Sequence, residues 1–175
     1  MPQKTTPDQL EFKGKKAFSG GDYLAAAQIF SEAARISSKA GDPLKAAEMR
    51  SNQSVALLRA KQPEKALEII LGVCDIFNQS KDLHRRGIAL GNKAAVLSSL
   101  KKRDEAITCY REAADLLEQA GEDEDRLIVM RQAASLYAVR LKFVDALLTV
   151  REGYLGLKKP TLMQKVVKKL LFVGS

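Results

Sequence analysis

Residues 14–33 read Gly-Lys-Lys-Ala-Phe-Ser-Gly-Gly-Asp-Tyr-Leu-Ala-Ala-Ala-Gln-Ile-Phe-Ser-Glu-Ala. A small residue (Gly14) is followed by a turn (Gly20-Gly21-Asp22), a second small residue (Ala26), a large apolar one (Phe30) and a third small one (Ala33). The same order returns every 40 residues. Ser54, Ala66, Ile70 and Val73 form the second copy, and Ala94, Ala106, Tyr110 and Ala113 the third. Ala134, Ala146, Val150 and Gly153 form the fourth. A fixed period of this length marks a repeat architecture, in which each unit buries its apolar face only by stacking on the next.

The pattern inside each unit is helical. In 22–38, Leu24, Ala27, Ile29, Phe30, Ala33, Ala34 and Ile36 recur at three- and four-residue spacing. Breaks fall at Gly20-Gly21-Asp22, Lys61-Gln62-Pro63 and Lys101-Lys102-Arg103-Asp104 within units. Between units they fall at Gly41-Asp42-Pro43, Lys81-Asp82 and Gly121-Glu122-Asp123. Gly supplies a left-handed residue after one helix, Asp caps the next, and Pro43 suits a first helical turn. Each unit therefore reads as a helical hairpin. Small residues let its two helices approach to about 8–10 Å, and the large residue fills the space toward the next hairpin.

These positions resemble the tetratricopeptide repeat (TPR) pattern, and the match covers about residues 7–157. Gly21-Asp22-Tyr23 also matches that family's hairpin turn. The departures are the missing aromatic at the fourth position (Leu10, Arg50, Leu90, Met130) and Gly153 in place of the usual Ala. Armadillo and HEAT repeats share the length range without this spacing. The resemblance implies an all-α, right-handed superhelical solenoid in one domain spanning 1–175. Its hairpins are expected at about 7–41, 42–81, 82–121 and 122–159, with a cap helix at about 161–173. A 40-residue period resembles the longer-helix members that act as scaffolds.

In that family the first helices line a concave groove. The sixth position reads Phe12, Asn52, Asn92 and Gln132. An amide offers both a donor and an acceptor, so a row of them can pair with an extended peptide backbone. The alternative is that each amide bridges neighbouring helices. Glu48, Val55, Arg59, Arg131 and Ser135 share this face, which has a bare middle at Gly91 and Ala95. Arg131 and Arg59 would select acidic residues of a ligand. A carboxylate clamp of the chaperone-binding type is disfavoured. Its places hold Glu11, Lys15, Asn52, Ile88 and Asn92, of which only Asn52 fits.

The chain has 175 residues, two Cys, one His and a formal charge of +8. Two cysteines make no disulfide framework, and one His gives neither a His-based metal site nor a serine-type triad. Cys74 and Cys109 read as buried small hydrophobes. No phosphate loop is present. His84 reads as a surface residue, and Glu122-Asp123-Glu124-Asp125 as a solvated loop favouring the next helix N-terminus. No catalytic residue, cofactor or metal is expected. No secretory signal or membrane-spanning run is visible, so a cytoplasmic location is expected, with an organellar one after loss of a targeting segment kept open.

Thr161 and Gln164 have capping-box spacing and open a last helix. Leu162, Met163, Val166, Val167, Leu170 and Leu171 lie on one face, and Lys165, Lys168 and Lys169 on the other. The leading expectation is a cap whose apolar face covers the fourth repeat. Membrane-surface binding and homodimerisation through this end are the alternatives. The charge is not spread evenly: residues 1–80 carry +2, 81–125 carry −2 and 126–175 carry +8. Lys158, Lys159, Lys165, Lys168 and Lys169 make a basic C-terminal patch. The expected function is a non-catalytic scaffold or adaptor that holds a peptide or helix of another protein in its groove. Nucleic acid, an anionic membrane surface and a second copy are the lesser partner readings.

Overall fold

The computed structural model describes residues 6–139, 143–158 and 160–171. Of the residues singled out above, Lys159 and the end of the cap beyond 171 lie outside the described residues, as do the side chains of Ala146, Leu170 and Leu171. The described residues form helices and no strand. The first hairpin is α1 (Pro7–Ser19) and α2 (Tyr23–Lys39), and the second is α3 (Pro43–Arg59) and α4 (Pro63–Asn78). The third is α5 (Leu83–Ser99) and α6 (Arg103–Ala120), and the fourth is α7 (Asp123–Val139) and α8 (Phe143–Leu155). A shorter α9 (Leu162–Leu171) completes the order.

The local chemistry explains these boundaries. Asp22, Asp42 and Asp82 each accept a hydrogen bond from the backbone N–H three residues on, satisfying one orphan donor of α2, α3 and α5. Thr6–Gln9 and Thr161–Gln164 close reciprocal capping boxes. The chain reverses through left-handed residues at Gly21, Gly41 and Gly121. Lys61 and Lys101 take the same conformation at the turns equivalent to Gly21, with φ of 60° and 62°. A non-Gly residue is strained there, so packing of the flanking helices holds these two turns.

The repeat positions are buried as their spacing demands. Ala26, Ala66 and Ala106 are fully buried, as are Ser54, Ala94, Ala33, Val73 and Ala113. Ser54 also donates its hydroxyl to the Ala66 carbonyl at 2.9 Å, tying α3 to α4. The large residue of the first hairpin also packs within its own hairpin: a Cβ on Gly14 would stand 2.7 Å from Phe30 Cε1. Phe30 also faces the next hairpin, where it lines a cavity with Asn52 and Val55. Three apolar clusters run along the stack: one spans α2 to α5, one α5 to α7, and a small one joins Leu127, Tyr154 and Leu157.

The first helices α3, α5 and α7 touch in succession, whereas among the described residues the second helices make no comparable contacts. The stack is therefore tighter on the side of the first helices, which makes that side concave. Clefts open on the other side. One of about 660 Å³ lies between α2 and α4, lined by Leu24, Gln28, Lys65 and Ile69 among others. Another of about 460 Å³ lies between α4 and α6.

Candidate functional site

On the concave side, α3 is flanked by two cavities. One of about 290 Å³ is lined by Lys15, Phe18, Ser19, Phe30, Asn52 and Val55, between α1 and α3. The other, of about 310 Å³, is lined by Glu48, Ser51, Asn52, Phe77, His84, Arg85 and Ile88, between α3 and α5. Asn52 belongs to both. Its amide is half-buried and has no protein hydrogen-bond partner among the described residues.

Asn92 occupies the equivalent place on α5 with the same partial burial, but its environment differs. Its amide nitrogen donates to Ser51 Oγ at 3.0 Å, bridging α5 to α3. Gln132, on α7, is exposed. The three amides are thus not equivalent rungs: Asn52 is free, Asn92 is engaged by a neighbouring helix and Gln132 stands in solvent. The bare middle expected at Gly91 does not exist. Gly91 is buried, and a Cβ there would lie 3.0 Å from Val129 Cγ1, so close approach of α5 and α7 consumes the space.

The remaining groove residues separate into two groups. Glu48 and Val55 line the cavities beside Asn52. Glu48 lies 3.7 Å from the Arg85 guanidinium. Arg59, Arg131 and Ser135 are exposed and line neither cavity. The Ser135 hydroxyl donates to the Gln132 carbonyl at 2.7 Å, within its own helix.

Sequence reasoning missed a rule that the structure makes plain. Polar contacts between successive first helices join residues 34–41 apart. Lys45 Nζ donates to Glu11 Oε2 at 2.5 Å. Burial raises the Glu11 carboxyl, but hydrogen bonds from Lys15 and Lys45 outweigh it and hold the carboxyl below its ordinary value. His84 Nε2 lies 2.9 Å from Asp125 Oδ2, and Nδ1 lies 3.9 Å from Glu122. A signal was available: Lys45 and Arg85 stand 40 residues apart, each with an acid about one repeat earlier.

The acidic run at 122–125 also needs correction. Asp123, Glu124 and Asp125 form the first turn of α7, not a solvated loop. Asp123 accepts from the Lys158 backbone N–H at 3.0 Å, Glu124 from Gln164 at 2.9 Å, and Asp125 meets His84. The run fastens α7 backward to α5 and forward to α9. His84, read as a surface residue, is held in this junction, although its side chain stays 44% exposed. Cys74 and Cys109 are free and buried. Burial chiefly pushes the Cys74 thiol up to about 11, and Lys93 opposes this only in part. Such a thiol is protonated at neutral pH and a poor nucleophile.

The basic end differs from its expected form. Val167 packs against the cluster of Leu127, Tyr154 and Leu157, as the cap reading requires. Leu162, Met163 and Val166 remain 81%, 72% and 49% exposed. The α9 helix caps the stack along one edge only. Lys158, Lys165 and Lys169 are exposed and Lys168 partly so. Among the described residues, no helix is long and apolar enough to cross a membrane.

Comparison with known proteins extends this picture. The family model described as "Soluble NSF attachment protein, SNAP" matches residues 12–171. No curated protein sequence matches the chain. Among solved structures, two crystal structures of a Podosopora anserina putative kinesin light chain with nearly identical TPR-like repeats are similar, each with a TM-score of 0.57. Identity is 11% and 12%; the alignments cover 98% and 99% of this chain and 94% of those chains. At that identity the likeness concerns the fold, a TPR-like solenoid.

Proposed function

The chain belongs to the soluble NSF attachment protein family, and from that premise we propose that it is a non-catalytic adaptor whose concave face holds a segment of a partner protein. The family's name describes an attachment protein, and its repeat fold is of the protein–protein interaction kind. The observation that carries the finer reading is Asn52. A half-buried amide with no protein partner among the described residues, set between two adjoining cavities, is open to the hydrogen bonds of a ligand. Its carbonyl and NH₂ match the donor and acceptor of one peptide unit. Phe18 and Val55 on one side and Ile88 on the other offer apolar contact for flanking side chains. Glu48 and Arg85 place charges of both signs beside them, so the site selects by shape and polarity rather than by net charge.

Arg131 and Gln132 extend the same face along α7, where they would meet only a longer ligand. Two free, buried thiols accord with work in a reducing compartment such as the cytoplasm.

The test is affinity capture from the source extract, followed by calorimetry with the recovered partner. Asn52→Ala is expected to weaken binding by about tenfold, the worth of one or two hydrogen bonds, with melting unchanged. Asn92→Ala should lower melting through loss of the Ser51 contact and weaken binding less. Equal affinity of wild type and Asn52→Ala would overturn the groove reading.

A further inference from the structure

The C-terminal end carries a second surface that the groove does not use. The α9 helix is held to the body by Val167 in the last apolar cluster and by the Gln164–Glu124 hydrogen bond at 2.9 Å, and the Thr161–Gln164 capping box closes its own first turn. It is thus a formed helix on a fixed base, and its outward face needs no ordering on contact. That face is apolar. At about 100° per residue, Leu162, Val166 and Met163 share one sector of about 100°. Lys165 and Lys169 border it on one side, and the docked Val167 borders it on the other.

The repeat register shows that this end is chemically set apart. The position of Leu148 is held by Gln28, Glu68 and Thr108 in earlier hairpins, and that of Leu155 by Arg35, Asp75 and Asp115. At these two positions polar residues give way to Leu only in the fourth hairpin, where both leucines stay about half exposed (46% and 52%). Leu148, Leu155 and the α9 residues all lie in the segment 126–175, which carries +8.

We propose that the outward face of α9 attaches the protein to an anionic lipid surface, with Leu162, Met163 and Val166 entering the headgroup boundary and Lys165 and Lys169, at its edge, pairing with lipid phosphates and carboxylates. A short helix with an exposed apolar sector edged by Lys is the form that lies in a membrane interface. Charge selects this occupant over a second copy, since an end-to-end dimer would bring two segments of +8 together. Residue type selects it over nucleic acid, because 162–171 contains no aromatic residue on which a base would stack. The surface is separate from Asn52, so the adaptor reading and this one stand or fall independently.

The experiment is co-sedimentation of the full chain with vesicles of phosphatidylcholine alone or with about one third phosphatidylserine. Binding is expected only with phosphatidylserine, falling steeply with added salt. Changing Lys165 and Lys169 together to Gln should lower partitioning by about 30-fold. Changing Leu162 and Met163 together to Ser should lower it at least tenfold. Both of those residues are largely exposed, so circular dichroism and melting should match wild type. Equal binding to both vesicle types would overturn the proposal, as would wild-type binding by the Leu162/Met163 variant. Absence of vesicle binding, whether accompanied by nucleic-acid retention or by a dimer that the same variant dissociates, would overturn it too.

Discussion

Ile107 and Leu147 occupy the same place in successive hairpins, 40 residues apart. Ile107 is 8% exposed and Leu147 is 56% exposed. Both sit on second helices and both are aliphatic, so the difference lies in the helix that packs over each. Ile107 is covered by α7, in one cluster with Leu136 and Tyr137. The α9 helix reaches Tyr154 and Leu157 but leaves Leu147 open. In a solenoid, burial at a repeat position belongs to the next hairpin as much as to the residue's own.

The sharpest way to break this comparison is a matched pair of truncations. Ile107→Ala removes buried methyl groups from a cluster that cannot close over the gap. It should cost about 2–4 kcal/mol in chemical denaturation. Leu147→Ala should cost under about 1 kcal/mol, since most of that side chain already meets water. Equal costs would mean that the C-terminal end is packed in solution as tightly as the middle.

A smaller effect tests the close approach inside a hairpin. Gly14 and Gly72 are both helical, on α1 and α4. A Cβ on Gly14 would lie 2.7 and 2.9 Å from the Phe30 ring, which is almost fully buried and would have to shift. A Cβ on Gly72 meets nothing within 4 Å. Gly14→Ala should therefore destabilise by about 1–2 kcal/mol, overpacking outweighing the gain in helix propensity. Gly72→Ala should stabilise by about 0.5–1 kcal/mol. Thermal melts of the two variants should move in opposite directions.

These contrasts also show how far the sequence could be read. The register was legible because helix–helix approach admits only small residues at Ala26, Ala66 and Ala106, and that constraint repeats unchanged. The hairpin turns were legible from Gly21 and Gly41, and less so at Lys61 and Lys101, where packing imposes a left-handed backbone that the residue itself disfavours. What identical residues do at equivalent positions was not legible. Asn52 and Asn92 share a register, yet Ser51 engages only Asn92, and the place facing Asn52 on the preceding helix holds Glu11 in a lysine pair. The acidic run was misread because its partners, His84, Lys158 and Gln164, lie some 35–41 residues away. The outward apolar face of α9 was visible as periodicity, but which part of it docks depends on the shape of the fourth hairpin.

The two ends of the stack are fastened by different chemistry, and the smallest predicted effect separates them. At the N-terminal end, Glu11 of α1 is clasped by Lys15 and Lys45 at 2.5 Å each. At the C-terminal end, Asp123 accepts from a backbone N–H and Glu124 from an amide. Burial alone would raise the Glu11 carboxyl, but the two lysines lower it overall. A carboxyl depressed in the folded state stabilises the fold above its unfolded value and loses that contribution as pH falls through the folded one. Hydrogen bonding to Glu11 raises Lys45 above its ordinary 10.5, so that partner stays charged throughout the acid range. Glu11→Gln should therefore cost about 0.5–1 kcal/mol at pH 7, as an ion pair with one partly buried partner does. The gap from wild type should close as pH drops below the ordinary carboxylate value of 4.5. High salt should narrow the same gap at pH 7, because part of the clasp is exposed to screening. Asp123→Asn, which keeps an oxygen for the Lys158 N–H, should respond little to salt. A gap for Glu11→Gln that persists unchanged at pH 3 would show that shape, and not charge, holds α1 to α3.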